Sequence, residues 1–199
     1  DVEKCGGIVI PIVRRRTIAS EKIVTNDVSK IIDNLIIRKT RNNIIVRDVI
    51  DEAKLGNFCI VVSGRKAHCE ILYKSISARW PKTGIATGDY SSKYQDEQVR
   101  RFYGGDITVL ITTFELLGEG FDVDFLNRAF ISTPFRAEGK VEQLVGRIQR
   151  SAKGKKDAVV YDYVDEDIGV LRDQFYSTNK DSRQSAYIRL GMSIQPYDI

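Results

Sequence analysis

Four short apolar runs constrain this chain more than anything else in it: FCIVVS (58–63), ITVLITT (107–113), RAFIST (128–133) and DAVVYDYV (157–164). They are nearly continuous in apolar residues, so each has to be covered on both sides, the condition of a strand in a parallel sheet. Between them the spacing is helical. Residues 66–78 and 93–103 read as helices, the second closed by Gly104 and Gly105; a short strand falls near 83–87, and 141–150 reads as a further helix. Strand and helix in alternation predict a parallel sheet with right-handed crossovers and helices on both faces. At 199 residues, 42% of them hydrophobic, the chain is long enough for one such α/β domain with a substantial core.

Ahead of this pattern, residues 8–18 are rich in Ile and Val and predict an extended leading segment with a basic cluster at Arg14, Arg15 and Arg16. Thr25, Asn26 and Asp27 offer an N-cap to a helix in which Val28, Ile31, Ile32 and Leu35 keep helical spacing. A second helix is expected over roughly 43–55, with Ile45, Val49 and Ala53 on one stripe and Gly56 as its stop. DIGVLRDQFY and SRQSAYIRLGM predict two C-terminal helices with no chemistry assigned. The expected organisation is 1–57 leading into the domain, 58–165 its core and 166–199 a helical extension, all one compact unit. The chain opens on Asp1, followed by the strand-like GGIVIPIV, so the natural polypeptide is expected to begin earlier.

The net charge of +4 permits nucleic-acid contact without demanding it. Cys5, Cys59 and Cys69 form neither a CxxC pair nor a disulfide framework and read as packing residues in a reducing compartment. No run approaches the roughly 20 apolar residues of a membrane span, and the N-terminus lacks a signal peptide, so no membrane contact and an intracellular (cytoplasmic or nucleoid-associated) location are expected. His68, the sole histidine, has no second ligand near it in sequence and reads as a core or surface residue. The acidic run Asp162, Asp165, Glu166, Asp167 reads as a solvated strand end in preference to a magnesium site, and Trp80 as a packing residue in preference to a base-stacking platform. No metal ligand is assigned.

VEQLVGRIQR (141–150) places Gln143, Gly146, Arg147 and Arg150 on one helical face, with Leu144, Val145 and Ile148 pointing elsewhere into a core and Gly146 opening a gap in the polar face. Something planar or anionic fits there. Together with VVSGRKAH (61–68), ATGDYSSKYQDEQVRRFYGG (86–105) and ITTFELLGEGFD (111–122), this segment resembles in order and spacing the second RecA-like domain of superfamily-two helicases and translocases. The resemblance covers about 58–164. QLVGRIQR has the form of motif VI, GEGFD of the end of motif V, and VVSGR stands where motif IV belongs. The flavour is that of the XPB-like and RadD-like DNA-repair helicases and the type I and III restriction motors; Glu119 departs from the basic residue common in the RNA-helicase branch.

The resemblance implies a RecA-like three-layer sandwich with a central, mainly parallel sheet. It implies a second motor lobe, in which Arg147 and Arg150 act as arginine fingers on the γ-phosphate of ATP. Gln143, Gly120 and Asp122 would contact the nucleotide, the carboxylate of Asp122 suiting a ribose hydroxyl. It also implies that Ser63, Gly64, Arg65, Thr87, Gly88, Thr112 and Thr113, at strand ends, line the track of one nucleic-acid strand, DNA ahead of RNA, through backbone contacts. The sequence has no G-x-x-x-x-G-K-[ST] phosphate loop and no acidic DExx box. ATP and Mg2+ are therefore expected to be held mainly by an N-terminal RecA-like lobe in the same polypeptide, without which this chain does not hydrolyse ATP. The alternative is a free-standing nucleic-acid-binding or interaction module that kept the lobe and lost the motor. A Rossmann-type metabolic domain is disfavoured, because no Gly-rich turn follows the first strand with an acidic partner about 20 residues on.

Overall fold

In the computed structural model, which describes residues 9–21, 23, 25–118, 123–137, 139–152, 154–178 and 181–197, the apolar runs become strands. These are β1 (Ile12–Ile18), β2 (Cys59–Ser63), β3 (Thr83–Ala86), β4 (Val109–Thr113), β5 (Arg128–Ile131), β6 (Val159–Asp165) and β7 (Ile194–Pro196). They form a 7-stranded sheet in the order β3-β4-β2-β5-β6-β1-β7, and every pairing is parallel. β2 and β4 are buried at every position, as a strand covered on both faces must be. The leading segment is thus a full strand: β1 runs beside β6, with Ile12 opposite Val159 and Ile18 opposite Asp165.

Helices α1 (Val28–Leu35), α2 (Lys39–Lys54), α3 (Lys66–Ser77), α4 (Ser92–Tyr103), α5 (Phe114–Gly118), α6 (Lys140–Ile148), α7 (Gly169–Tyr176) and α8 (Arg183–Arg189) complete the fold. Asp27 caps α1, its carboxylate accepting from the Ser29 and Lys30 amides. α2 begins several residues before the expected position, yet Ile45, Val49 and Ala53 form its buried stripe, and Gly56 follows with φ of 85°. Two apolar layers lie on opposite sides of the sheet. One packs α2 and α3 onto Cys59, Val61, Val109 and Ile111; the other packs α6 and Phe175 of α7 onto Ile60, Val62, Ala129 and Ile131. The architecture is a RecA-like α/β sandwich, its sheet wholly parallel.

Cys59 and Cys69 are buried free thiols, and Trp80 is a packing residue whose indole N–H donates to Thr108. Cys5 lies outside the described residues. The acidic run is the main correction: Asp162 and Asp165 are fully buried, not solvated. They occur on a strand flanked by β5 and β1, and arginines from elsewhere in the chain neutralise them. Arg183 Nε lies 2.8 Å from Asp162, and Arg41 Nε lies 3.1 Å from Asp165.

Candidate nucleotide and nucleic-acid interface

A parallel sheet collects the C-terminal ends of its strands along one edge, where ligands of α/β folds bind. Register places Ser63 beside Thr113 and Ala86 beside Thr112, so the turns after β2, β3 and β4 are neighbours. Ser63, Thr87, Thr112 and Thr113 are all buried. The Ser63 hydroxyl pairs with Thr133 Oγ1 and lies 3.1 Å from His68 Nδ1, and it also accepts from the Arg65 amide. Arg65 itself reaches back to α1, donating to Asp33 at 2.8 Å and to Ser29 Oγ at 2.8 Å. Lys66, one residue on, pairs with Asp89 at 2.6 Å, next to Gly88. The hydroxyl of Thr87 is buried without a partner among the described residues. These turns are therefore brought together, but Ser63 and Arg65 are already engaged within the domain. A cavity of about 510 Å3 opens between α4 and α5 and is lined by Ala86, Gln95, Leu110, Thr112 and Leu116.

α6 follows the sequence expectation in part. Val141, Leu144, Val145 and Ile148 are buried and fasten it to the sheet, while Gln143 and Gly146 are exposed. The helix starts after Gly139, which takes the left-handed conformation with φ of 78°. It ends at Ile148, so Arg150 lies beyond the last turn and does not share the helical face with Gln143, Gly146 and Arg147. Pairing with a distant segment accompanies the difference: the Gln149 carbonyl accepts from the Val9 amide at 2.8 Å. Arg150 is exposed, with Asp124 Oδ1 at 4.0 Å. Arg147 is half-buried and makes no hydrogen bond or ion pair among the described residues. Glu142, a carboxylate that could have neutralised the helix arginines, pairs with Arg189 of α8 at 3.0 Å. A methyl group added at Gly146 would meet nothing within 4 Å. Gly120 and Asp122 lie outside the described residues.

Residues 40–152, more than half of the chain, match the model of the helicase conserved C-terminal domain. The chain belongs to that family. The helicase domain is 26% identical over 171 residues to L396 of Acanthamoeba polyphaga mimivirus, whose name assigns it provisionally to ATP-dependent RNA helicases; the match covers 86% of this chain and 31% of that protein. It is 27% identical to the transcript termination protein A18 of Yaba-like disease virus, over 71% of this chain and 28% of the relative. The chain thus spans about a third or less of the curated relatives it matches. Among solved structures, T4 UvsW aligns over 98% of the chain and 42% of its own length, with a TM-score of 0.72 at 11% identity. Dbp5 of S. cerevisiae bound to RNA and ADP BeF3 aligns over 96% and 42% with a TM-score of 0.54 at 16% identity. Among the described residues, no helix is long and apolar enough to cross a membrane.

Behind the strand ends, the helicase domain holds a polar knot that sequence reasoning missed. His68 is fully buried; its Nε2 lies 3.0 Å from Asn42 Oδ1, its Nδ1 between Ser63 and Thr133. Burial, reinforced by the nearby Arg41 guanidinium, pulls the imidazole from its ordinary 6.5 down to about 3. The folded state therefore refuses a proton that the unfolded chain accepts between those values, and stability falls as pH drops through that window. We expect His68 to cost about 3 kcal/mol of stability on going from pH 7 to pH 4. In His68→Gln this acid sensitivity should shrink by a similar amount, as read by urea unfolding at the two pH values; an equal loss in both proteins would refute it. The signal available in the sequence was a histidine on the apolar stripe of α3, at helical spacing from the buried Leu72 and Ile76.

Proposed function

We propose that this chain is the second motor lobe of a nucleic-acid-dependent ATPase, a helicase or translocase, and that α6 and the turn after it complete an ATP site begun on another lobe. Arg147 and Arg150 supply fixed positive charge to the γ-phosphoryl group as water attacks phosphorus and ADP leaves; arginine suits this because its fork is rigid and always protonated. Gln143 shares the exposed face of α6 with Arg147, and Gly120 and Asp122 belong to the same reading. ATP and Mg2+ are held mainly by the other lobe. Ser63, Gly64, Arg65, Thr87, Gly88, Thr112 and Thr113 mark the edge that faces the nucleic acid, chiefly through main-chain groups.

One observation carries this reading. The fold has no internal use for Gly146, since a Cβ would meet nothing there. Glycine inside a helix nevertheless costs about 1 kcal/mol relative to alanine. Beside it stands an arginine without a partner among the described residues. A bare, positively charged helix surface of this kind is suited to an anionic group brought from outside the domain.

Gly146→Ala separates the two possibilities. In the polypeptide that carries both lobes, the substitution should raise stability by about 1 kcal/mol through helix propensity. It should at the same time lower ATP turnover stimulated by DNA or RNA, because the methyl group occupies the space of the nucleotide. Stabilisation with unchanged turnover would show that nothing docks there. Running DNA and RNA in parallel identifies the track: the resemblance to DNA-repair helicases and restriction motors favours DNA, whereas the name of the relative L396 points to RNA.

A further inference from the structure

Lys155 is buried, and among the described residues its ammonium meets no carboxylate at hydrogen-bond distance. Its donors go to three main-chain carbonyls: Arg150 at 2.6 Å, Ile148 at 2.7 Å and Asp124 at 3.1 Å. Those oxygens come from different pieces of the chain. Ile148 closes α6, Arg150 sits in the extended turn after it, and Asp124 precedes β5, two residues past Asp122. Three acceptors match the three protons of an ammonium; a neutral amine or an amide offers two. The arrangement is costly, because burial pulls Lys155 from its ordinary range down to about 8. The Asp124 charge offsets that cost only in part, so the contacts of the ammonium to these carbonyls contribute more to holding the three segments in place than to stability.

We propose that Lys155 is a positioning residue for the arginine site, fixing the main chain of Arg150 to the segment at Asp124 so that the Arg150 guanidinium is presented to the nucleotide in one geometry. This rests on the assignment of Arg147 and Arg150 to ATP. Arg150 lacks the support of a helix, since α6 ends before it. Its backbone is held through the Lys155 contact to its carbonyl and the hydrogen bond from the Val9 amide to the adjoining Gln149 carbonyl. Loosening that tie displaces a charge that acts on the transition state, so the loss should fall on turnover and spare ATP binding.

The test compares Lys155→Met, Lys155→Gln and Arg150→Ala in the polypeptide that carries both lobes. Lys155→Met should lower kcat by about 10- to 100-fold, the scale of a small misplacement of a catalytic group, with KM for ATP within about twofold of wild type. Lys155→Gln, with two donors, should lose less. Hydrogen exchange should accelerate at amides 123–127 and 148–152 in both variants and remain unchanged in α2 and α3. If Lys155→Met fails to fold, Lys155→Gln decides on the same readouts. A kcat within about twofold of wild type in both lysine variants, with Arg150→Ala inactive, overturns the proposal and leaves the motor reading intact. A fall in kcat together with a rise in KM and exchange faster throughout the domain also overturns it, as the mark of a merely structural lysine. Full turnover in Arg150→Ala removes the assignment of Arg150 to ATP, and this proposal with it.

Discussion

Alanine at Arg147 or at Arg150, in the polypeptide that carries both lobes, should lower nucleic-acid-stimulated ATP turnover by about 10^3-fold or more, the range in which arginine fingers act. Stability should hardly move. Arg147 has no partner to lose among the described residues, and the 4.0 Å approach of Arg150 to Asp124 joins two exposed groups, an arrangement worth about 0–1 kcal/mol. Nucleic-acid binding should persist, because these arginines lie on and beyond α6 while the proposed track follows the ends of β2, β3 and β4. Lysine at either position should recover only part of the activity, since it keeps the charge but not the fork. The double variant should be little worse than each single one, as expected of groups that stabilise one transition state together. Turnover within about twofold of wild type in both single variants would end the finger assignment.

The second large effect concerns stability. Arg183 is fully buried, donates to Asp162 at 2.8 Å and to the Phe135 carbonyl at 2.7 Å, and lies between the rings of Phe135 and Phe175. Asp162 also accepts from Tyr187 at 2.8 Å. Arg183→Met fills the space but leaves a buried carboxylate without its cation, which costs about 3–5 kcal/mol. Adding Asp162→Asn removes the stranded charge, so the double variant should regain much of the loss. Chemical denaturation of the four proteins in this cycle gives the coupling directly. Additive losses would show that Arg183 acts through packing between the two rings and that its charge is incidental.

Period and continuity of apolar residues were enough to read the β2–β6 core and most of its helices, because strands buried on both faces leave an unmistakable run such as FCIVVS. The short elements were not legible. β7 spans Ile194–Pro196, too short for any pattern, and is a strand only because β1 lies beside it. Arg150 looked helical because its spacing from Gln143 is helical; the chain leaves the helix to pair with the segment at Val9, a contact invisible in a local window. Asp162 and Asp165 looked solvated because charge is normally outside. Their partners, Arg183 and Arg41, come from distant parts of the chain, and no spacing rule announces such a pairing. Lys155 does not stand out among the neighbouring lysines of AKGKKD, and only the fold shows that its ammonium turns inward.

The position of β1 has a consequence during synthesis. Its in-sheet partners, β6 and β7, are translated long after it, so this segment must wait on the ribosome without a ladder to join. An unpaired, Ile- and Val-bearing stretch is an invitation to aggregate with other nascent chains. Arg14, Arg15 and Arg16 at its centre oppose this: like charges repel a second copy until the late-made groups that receive them, the hydroxyls of Tyr161 and Tyr176 and the carbonyl of Tyr197, have been synthesised.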